Sequence, residues 1–312
     1  MSVAPPLSLT VCLPQGAEEW AASLNLRLAG QVEASAWRAG DPPADLAVLW
    51  KPPPAFFNEQ TRLRVAFAAG AGVDGLLALR PPPGLPLIRL EDAGMGVQMA
   101  EYVLHALLRW YRQFDRYAAQ AQRAEWRPQP PLPKVEWTVG LLGCGVLAHP
   151  TVRALQGLGF PVQAWARRPR EGGDLPVFTG DEGLNALLAS SRVVVAVLPL
   201  TPDTQGLLQA ERLARMPAGS YFINIARGGL VDETALLDAL DRGHLAGAAL
   251  DVCATEPSGP EHPFWRHPRV QLTPHIAGAT LRDEALDQIA EKIRCWLRGE
   301  PISGRVSLEA GY

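Results

Sequence analysis

The sequence predicts an α/β protein of two doubly wound parallel-sheet domains with an active-site cleft between them. Three observations carry that expectation. The chain has 312 residues, more than one hydrophobic core usually serves, which points to two domains. From Thr138 onward, short apolar runs alternate with amphipathic stretches, the pattern of parallel strands covered by helices on both faces. At the first strand-to-helix junction of that run lies a glycine-rich loop, Gly140-Leu141-Leu142-Gly143-Cys144-Gly145-Val146-Leu147-Ala148.

The elements follow in order. Leu46–Trp50 and Leu63–Phe67 are short apolar runs set among the proline triplets Pro52-Pro53-Pro54 and Pro81-Pro82-Pro83, so they read as buried strands. Met95 to about Gln122 has no Gly or Pro after Gly96 and spaces Val103, Leu104, Leu107, Leu108 and Tyr111 as one helical face. A long helix is predicted there, its face turned either to a second subunit or to its own domain. Pro128 through Pro133 reads as a linker. Strands are then predicted at Thr138–Leu142, Val162–Ala166, Arg192–Leu198, Tyr221–Ile225, Gly247–Leu250 and Val270–Thr273. Helices fall between them at Val152–Leu158, Leu184–Leu188, Gln209–Ala214 and Glu233–Asp241. A last helix, about Leu281–Leu297, has no strand after it and is expected to return to the first domain. That makes residues 1–97 plus 284–312 a discontinuous substrate domain around a dinucleotide-binding domain at 98–283, with a hinge near 94–101 and 278–286.

Composition excludes several classes of partner. A net charge of −3 creates no field that would attract nucleic acid or an acidic membrane. The four cysteines lie far apart and form no Cys-x-x-Cys pair, so no zinc or redox motif is predicted and no metal is expected. No apolar run reaches the ~20 residues needed to span a bilayer, and no basic region precedes an apolar core near the N-terminus. The expected compartment is the cytoplasm.

The glycine loop carries the first chemistry. Gly143 and Gly145 permit a tight turn and close approach of a pyrophosphate to backbone amides at a helix N-terminus, with Val146 and Leu147 opening that helix. Ala148 is small enough for the third position, and Pro150 is tolerated where the first amides have no intrahelical partner. The next strand ends in Trp165-Ala166-Arg167-Arg168-Pro169-Arg170. An NAD site usually places an acid there for the ribose hydroxyls; guanidinium groups suit a 2′-phosphate instead. NADP is therefore expected over NAD, through Arg167 first and Arg168 next.

Three later signatures each contain a polar residue able to act on an anionic substrate. They are Ile223-Asn224-Ile225-Ala226-Arg227-Gly228-Gly229, Asp251-Val252-Cys253-Ala254-Thr255-Glu256-Pro257 and Thr273-Pro274-His275-Ile276-Ala277-Gly278. Reducing a 2-oxo acid requires a hydride at the carbonyl carbon, a proton for the oxygen and a clamp for the carboxylate. Histidine is the natural proton donor, because its ordinary pKa lies near neutrality. Of the six histidines, His262 and His267 lie in a proline-rich loop and His149 precedes a helix, whereas His275 follows a strand, where α/β folds place their active sites. Glu256 is suited to orient the imidazole. Arg227 is suited to grip carboxylate and carbonyl oxygens and to stabilise a developing alkoxide.

With Ala69-Gly70-Ala71-Gly72-Val73-Asp74, Met95-Gly96-Val97-Gln98-Met99-Ala100-Glu101-Tyr102, Leu198-Pro199-Leu200-Thr201-Pro202-Asp203-Thr204 and Glu261-His262-Pro263-Phe264-Trp265, the chain resembles the D-isomer-specific 2-hydroxyacid dehydrogenases over essentially its whole length. Within them it is most similar to the bacterial A-type glyoxylate/hydroxypyruvate reductases. The resemblance implies two flavodoxin/Rossmann-like domains and His275 as general acid/base, with Glu256 as its partner and Arg227 on the substrate. It also implies that the Ala226 carbonyl and the Asp251 side chain hold the nicotinamide carboxamide, and that Pro199 and Thr204 line the cofactor ribose. Backbone amides around Gly72 and Val73 would receive the substrate carboxylate. Trp50 and Trp265 either confine the pocket to a two- or three-carbon acid or serve as core or interface residues. A homodimer is implied by the helix from Met95. The implied reaction is NADPH-dependent reduction of glyoxylate or hydroxypyruvate. A dehydrogenase of the same family for another acid, such as phosphoglycerate, formate or a branched 2-oxo acid, or a catalytically weak NAD(P)-sensing binding protein, stands as the alternative.

Overall fold

The computed structural model describes residues 6–168 and 175–312; Pro169 and Arg170 of the basic run lie outside them. The chain divides into two compact units, Met1–Gly94 with Thr280–Tyr312, and Met95–Ala279. Both crossings fall slightly before the expected 97/98 and 283/284. Gly94, at φ 78°, turns the chain sharply just ahead of the helix that opens at Met95, which explains the first shift.

In the first unit the elements are β1 (Leu7–Cys12), α1 (Ala17–Leu28), β2 (Val32–Ala36), β3 (Leu46–Leu49), α2 (Phe56–Glu59), β4 (Val65–Ala68), α3 (Asp74–Ala78) and β5 (Leu87–Ile88). The strands pair in parallel in the order β2-β1-β3-β4-β5, the flavodoxin-like arrangement. All four residues of β3 and of β4 are buried, as strands covered on both faces require. β1 and β2 show no continuous apolar run in the sequence, because Ser8, Thr10, Glu33 and Ser35 interrupt them.

The second unit begins with α4 (Met95–Tyr111) and α5 (Phe114–Gln122). The single long helix expected here is thus broken. Gln113 adopts φ 55°, a left-handed conformation that ends one helix and caps the next. No Gly or Pro marks the break, so helical periodicity runs through it undetected. Residues 124–133 carry no helix or strand. Then come β6 (Val139–Leu142), α6 (His149–Gly157), β7 (Val162–Trp165), β8 (Val177–Phe178), α7 (Gly180–Ser190), β9 (Val193–Ala196), α8 (Ala210–Leu213), β10 (Ser220–Asn224), α9 (Glu233–Asp241), β11 (Leu245–Leu250) and β12 (Val270–Leu272). The edge strand β8 was not predicted; two residues are too few for a pattern.

These strands form one parallel sheet in the order β12-β11-β10-β9-β6-β7-β8. Strand order reverses at β6, so the loops after β6 and β9 flank a topological switch point, where doubly wound sheets bind ligands. Finally α10 (Arg282–Leu297) joins the first unit, burying Leu286, Ile289 and Ile293. Its Asp287 accepts a 2.6 Å hydrogen bond from Arg27 of α1. Lys292 is almost wholly buried and donates to the Arg89 and Ser303 carbonyls at 2.9 and 2.8 Å.

The core of the second unit is built on strand residues such as Phe222, Val194 and Leu250 packed against Leu187, Leu188 and Leu236 of the helices. Phe222 is fully buried at the centre of that cluster. Phe222→Ala should cost about 3–5 kcal/mol, the usual loss for deleting a buried ring, read as a lower denaturant midpoint with an unchanged slope.

Candidate active site

The three signatures meet because β10, β11 and β12 are adjacent and parallel. Asn224 pairs in register with Leu250, and Leu250 with Leu272, so the segments that follow leave the sheet at the same edge. The approach is tight. A Cβ placed on Gly228 would lie 1.9 Å from the Cys253 carbonyl carbon, so only glycine lets the turn after β10 touch the turn after β11.

Asn224 builds the first turn. Fully buried, it accepts from the Ala226 amide at 3.1 Å and donates to the Arg227 carbonyl at 2.9 Å. One guanidinium nitrogen of Arg227 donates to the Ala226 carbonyl at 2.8 Å. Asp251 organises the second and third segments. Its side chain is 1% exposed and accepts from Thr273 Oγ1 (2.7 Å) and the amides of Ile276 (2.8 Å) and Ala277 (2.7 Å). Thr273 Oγ1 lies 2.8 Å from the Tyr102 hydroxyl. Because Thr273 spends its hydrogen on Asp251, Tyr102 donates to Thr273. Burial pushes the Tyr102 phenol up to about 12, which keeps that donor protonated.

His275 stands on this frame. Its backbone is left-handed at φ 56°, a conformation that a non-glycine residue keeps only when its surroundings hold it. Here the His275 amide donates to the Asp251 carbonyl at 2.8 Å. The side chain meets Glu256 at 2.7 Å, Nδ1 to Oε2, while Glu256 Oε1 accepts from the Cys253 amide at 3.2 Å. Both side chains keep solvent access, 44% and 38% exposed. With Nδ1 engaged by a carboxylate, Nε2 is the nitrogen free to exchange a proton with a bound molecule. The sequence paired Glu256 with His275, and the two side chains do meet. It assigned nothing to Asn224, Tyr102 or Thr273, although all three stand inside the quoted motifs; their signal was a polar residue at a strand end or on an otherwise apolar helix face.

The glycine loop follows β6. Gly143 adopts φ 105° and a Cβ there would meet the Val197 carbonyl oxygen at 2.7 Å, whereas a Cβ on Gly145 would meet nothing within 4 Å. Gly143 thus packs the loop against the chain after β9, and Gly145 leaves its outer side open. Val146 and Leu147 form a short 3-10 turn that runs into α6, with Pro150 in the first turn of that helix. An anion at this edge meets backbone amides at a helix start. Arg167 and Arg168 are exposed just past β7. Arg167 donates to Asp203 at 2.9 Å, an acid supplied by the loop after β9. In that loop the Thr204 hydroxyl donates to the Pro199 carbonyl at 2.8 Å and accepts from the Thr201 amide at 2.8 Å, so its donor shapes the loop.

The remaining site residues divide between the two units. Trp50, Gly72 and Val73 belong to the first unit, at the carboxyl ends of β3 and β4. The Trp50 ring lies against Gly70, where a Cβ would come within 2.3 Å of it. Trp265, in the second unit, is 43% exposed and donates its ring N–H to the Gly259 carbonyl at 3.1 Å.

Residues 104–277 match the NAD binding domain of the D-isomer specific 2-hydroxyacid dehydrogenases. The glyoxylate/hydroxypyruvate reductase A of Serratia proteamaculans is 44% identical over 303 residues, 95% of this chain and 96% of that protein. Among solved structures, a D-isomer specific 2-hydroxyacid dehydrogenase from Xanthobacter autotrophicus, in complex with NADPH and MES, superposes with a TM-score of 0.91 at 37% identity, covering 98% of this chain and all of that one. An NADPH-dependent glyoxylate/hydroxypyruvate reductase from Sinorhizobium meliloti, in complex with NADP and sulfate, gives 0.88 at 33% identity, covering 98% of this chain and all of that one.

The contact between the two turns makes a paired prediction. Gly228→Ala forces backbone apart and should cost at least about 1–3 kcal/mol, as overpacking does. Gly229→Ala meets only the ends of the Gln205 and Leu200 side chains and should stay close to wild type in chemical denaturation.

Proposed function

The chain belongs to the D-isomer specific 2-hydroxyacid dehydrogenase family, and we propose that it reduces small 2-oxo acids with NADPH, glyoxylate to glycolate and hydroxypyruvate to D-glycerate. The observation that carries this reading is the Glu256–His275 pair at 2.7 Å, built on the turn that Gly228 locks against Arg227's own segment. The names of the Serratia and Sinorhizobium relatives supply the substrates.

The described residues fit the cofactor. Gly143, Gly145, Val146 and Leu147 offer an open helix start to its pyrophosphate, and the exposed Arg167 and Arg168 would read a 2′-phosphate. Pro199 and Thr204 shape the loop at the ribose. The Ala226 carbonyl and Asp251 take the carboxamide. Asp251 already accepts two hydrogen bonds on Oδ1 and one on Oδ2, and a carboxylate oxygen takes about two, so Oδ2 has capacity for one more. NADPH supplies a hydride to the carbonyl carbon.

The protein's residues do the rest. His275 gives a proton from Nε2 to the substrate oxygen, its ring fixed by Glu256 on Nδ1. Arg227 faces the growing negative charge on that oxygen and grips the carboxylate, stabilising the transition state more than the ground state. Backbone amides at Gly72 and Val73 receive the carboxylate. The bulk of Trp50 and Trp265 restricts the acid to two or three carbons. We further propose a homodimer, formed through the α4–α5 region where Val97 and Phe114 are exposed, and a cytoplasmic location. Among the described residues no helix is long and apolar enough to cross a membrane.

The test is loss of reduced-nicotinamide absorbance with NADPH or NADH and glyoxylate, hydroxypyruvate, pyruvate or a bulky branched 2-oxo acid. Fast NADPH oxidation with the first two is expected; preference for the branched acid would remove the tryptophan assignment, and no turnover with any pair would remove the reaction. His275→Ala should lower kcat by about 100-fold or more, the usual reach of general acid catalysis, with NADPH affinity nearly intact by fluorescence titration. Arg167→Asp should raise the KM for NADPH far more than that for NADH; equal effects would show Arg167 to be a surface charge only.

A further inference from the structure

Beside the catalytic pair, three chemically unlike side chains converge at the start of α9. Glu233 is the first residue of that helix, Cys253 follows β11, and His262 precedes the short turn Pro263–Trp265. Their carboxylate oxygen, thiol sulfur and imidazole nitrogen all lie within 4.8 Å of one another. We propose that Glu233, Cys253 and His262 form a binding site for one thiophilic divalent cation of the Zn2+ class, distinct from the nucleotide and substrate sites.

The geometry is close to that of a bound ion. His262 Nε2 and Glu233 Oε2 are 3.3 Å apart. Two ligands at tetrahedral angles on bonds of about 2.0–2.1 Å stand about 3.3–3.4 Å apart, so this pair already has the required spacing. A Zn–S bond of about 2.3 Å places the sulfur about 3.6 Å from each of them, within reach of a small side-chain adjustment. Glu233 is also oriented for the task. Its Oε1 is held by the Ala254 amide at 2.8 Å, which leaves Oε2 to face His262.

Chemistry narrows the ion. A thiol, an imidazole and one carboxylate suit a borderline-soft cation, whereas Mg2+ and Ca2+ prefer oxygen alone. Cys253 is 7% exposed, and the His262 and Glu233 side chains are about one-fifth exposed. Burial first and then the Glu233 carboxylate push the Cys253 thiol up; a hydrogen bond with Ser258 opposes them, and the Glu256 carboxylate adds a smaller push. Two carboxylates around a sulfur repel its negative charge and attract a cation.

Binding balances as a proton exchange. In the metal-free protein His262 Nδ1 accepts from the Phe264 amide at 3.4 Å, which puts the ring proton on Nε2, toward Glu233. The cation takes the Cys253 thiolate, whose proton leaves to solvent, and the ring proton moves from Nε2 to Nδ1. The Phe264 contact, long to begin with, is given up. The Cys253 amide donates to Glu256, the partner of His275, so drawing Cys253 inward disturbs the catalytic pair and occupancy lowers turnover. That last consequence alone rests on the proposed reaction.

The test uses the full-length protein stripped of metal with a chelator and titrated with Co2+, followed by the same titration with Zn2+ as competitor. Saturation at one equivalent is expected, with the near-ultraviolet charge-transfer absorption of a thiolate-bound Co2+, and Zn2+ should displace it. Cys253→Ser and Cys253→Ala should abolish that absorption, while Glu233→Gln and His262→Gln weaken binding at least tenfold; circular dichroism checks that each variant is folded. Cys295→Ser should change nothing. An absorption that survives loss of Cys253, or binding indifferent to all three positions, would overturn the site. If Co2+ binds as described but neither it nor Zn2+ alters NADPH oxidation, the site stands and its coupling to His275 falls.

Discussion

The close approach of two turns at Gly228 is the constraint on which the site depends. Parallel pairing of β10 with β11 and β11 with β12 brings three strand ends to one edge, but pairing fixes only the strands. The proposed catalytic groups lie beyond them, on loops, and loops hold a geometry only where packing removes their freedom. A missing side chain at Gly228 lets backbone touch backbone at Cys253. Arg227 and Glu256 are thereby positioned on either side of one contact, and every distance at His275 inherits that alignment.

Asp251 holds the other half of the frame. It is almost completely buried, yet its three donors offset the loss of hydration that makes an isolated buried carboxylate so costly. Two of those donors are consecutive amides, Ile276 and Ala277, which curl the chain around the carboxylate and force the left-handed turn at His275. The unfavourable backbone of His275, the proposed general acid, is thus compensated by hydrogen bonds to a residue that the sequence assigned to the cofactor. Tyr102 extends the network to α4 through Thr273, so the helix that opens the second unit also bears on the orientation of the imidazole.

Much of this was legible in the sequence because its signals are local. Continuous apolar runs revealed β3, β4 and the inner strands of the larger sheet, and the glycine loop fell at a strand-to-helix junction as expected. Elements whose character depends on context escaped: β1 and β2 carry polar alternation, β8 is too short for any pattern, and the left-handed Gln113 breaks a helix without a breaker residue. In the site, Arg227, Glu256 and His275 were readable from motifs. The buried partners were not, since Asn224 and Thr273 take their roles only when strands far apart in sequence become neighbours. The same holds for Glu233, Cys253 and His262, which no spacing rule links and which meet only because α9 starts beside the end of β11.

At the nucleotide end, the absent acid is absent only from its usual strand. Asp203, from the loop after β9, reaches Arg167 at 2.9 Å, because β6 separates β7 from β9 by a single strand and their loops meet across the switch point. An ion pair this exposed, 36% and 68%, is worth about 1 kcal/mol or less. It orients the guanidinium without sequestering it. A phosphate with nearly two negative charges offers Arg167 stronger, charge-assisted hydrogen bonds than one solvated carboxylate does. With Arg167 as the proposed reader of a 2′-phosphate, the pair would act as a weak placeholder that holds the arginine until a phosphate replaces it. A buried, well-packed ion pair at that point would resist such an exchange more than one whose carboxylate is as exposed as Asp203.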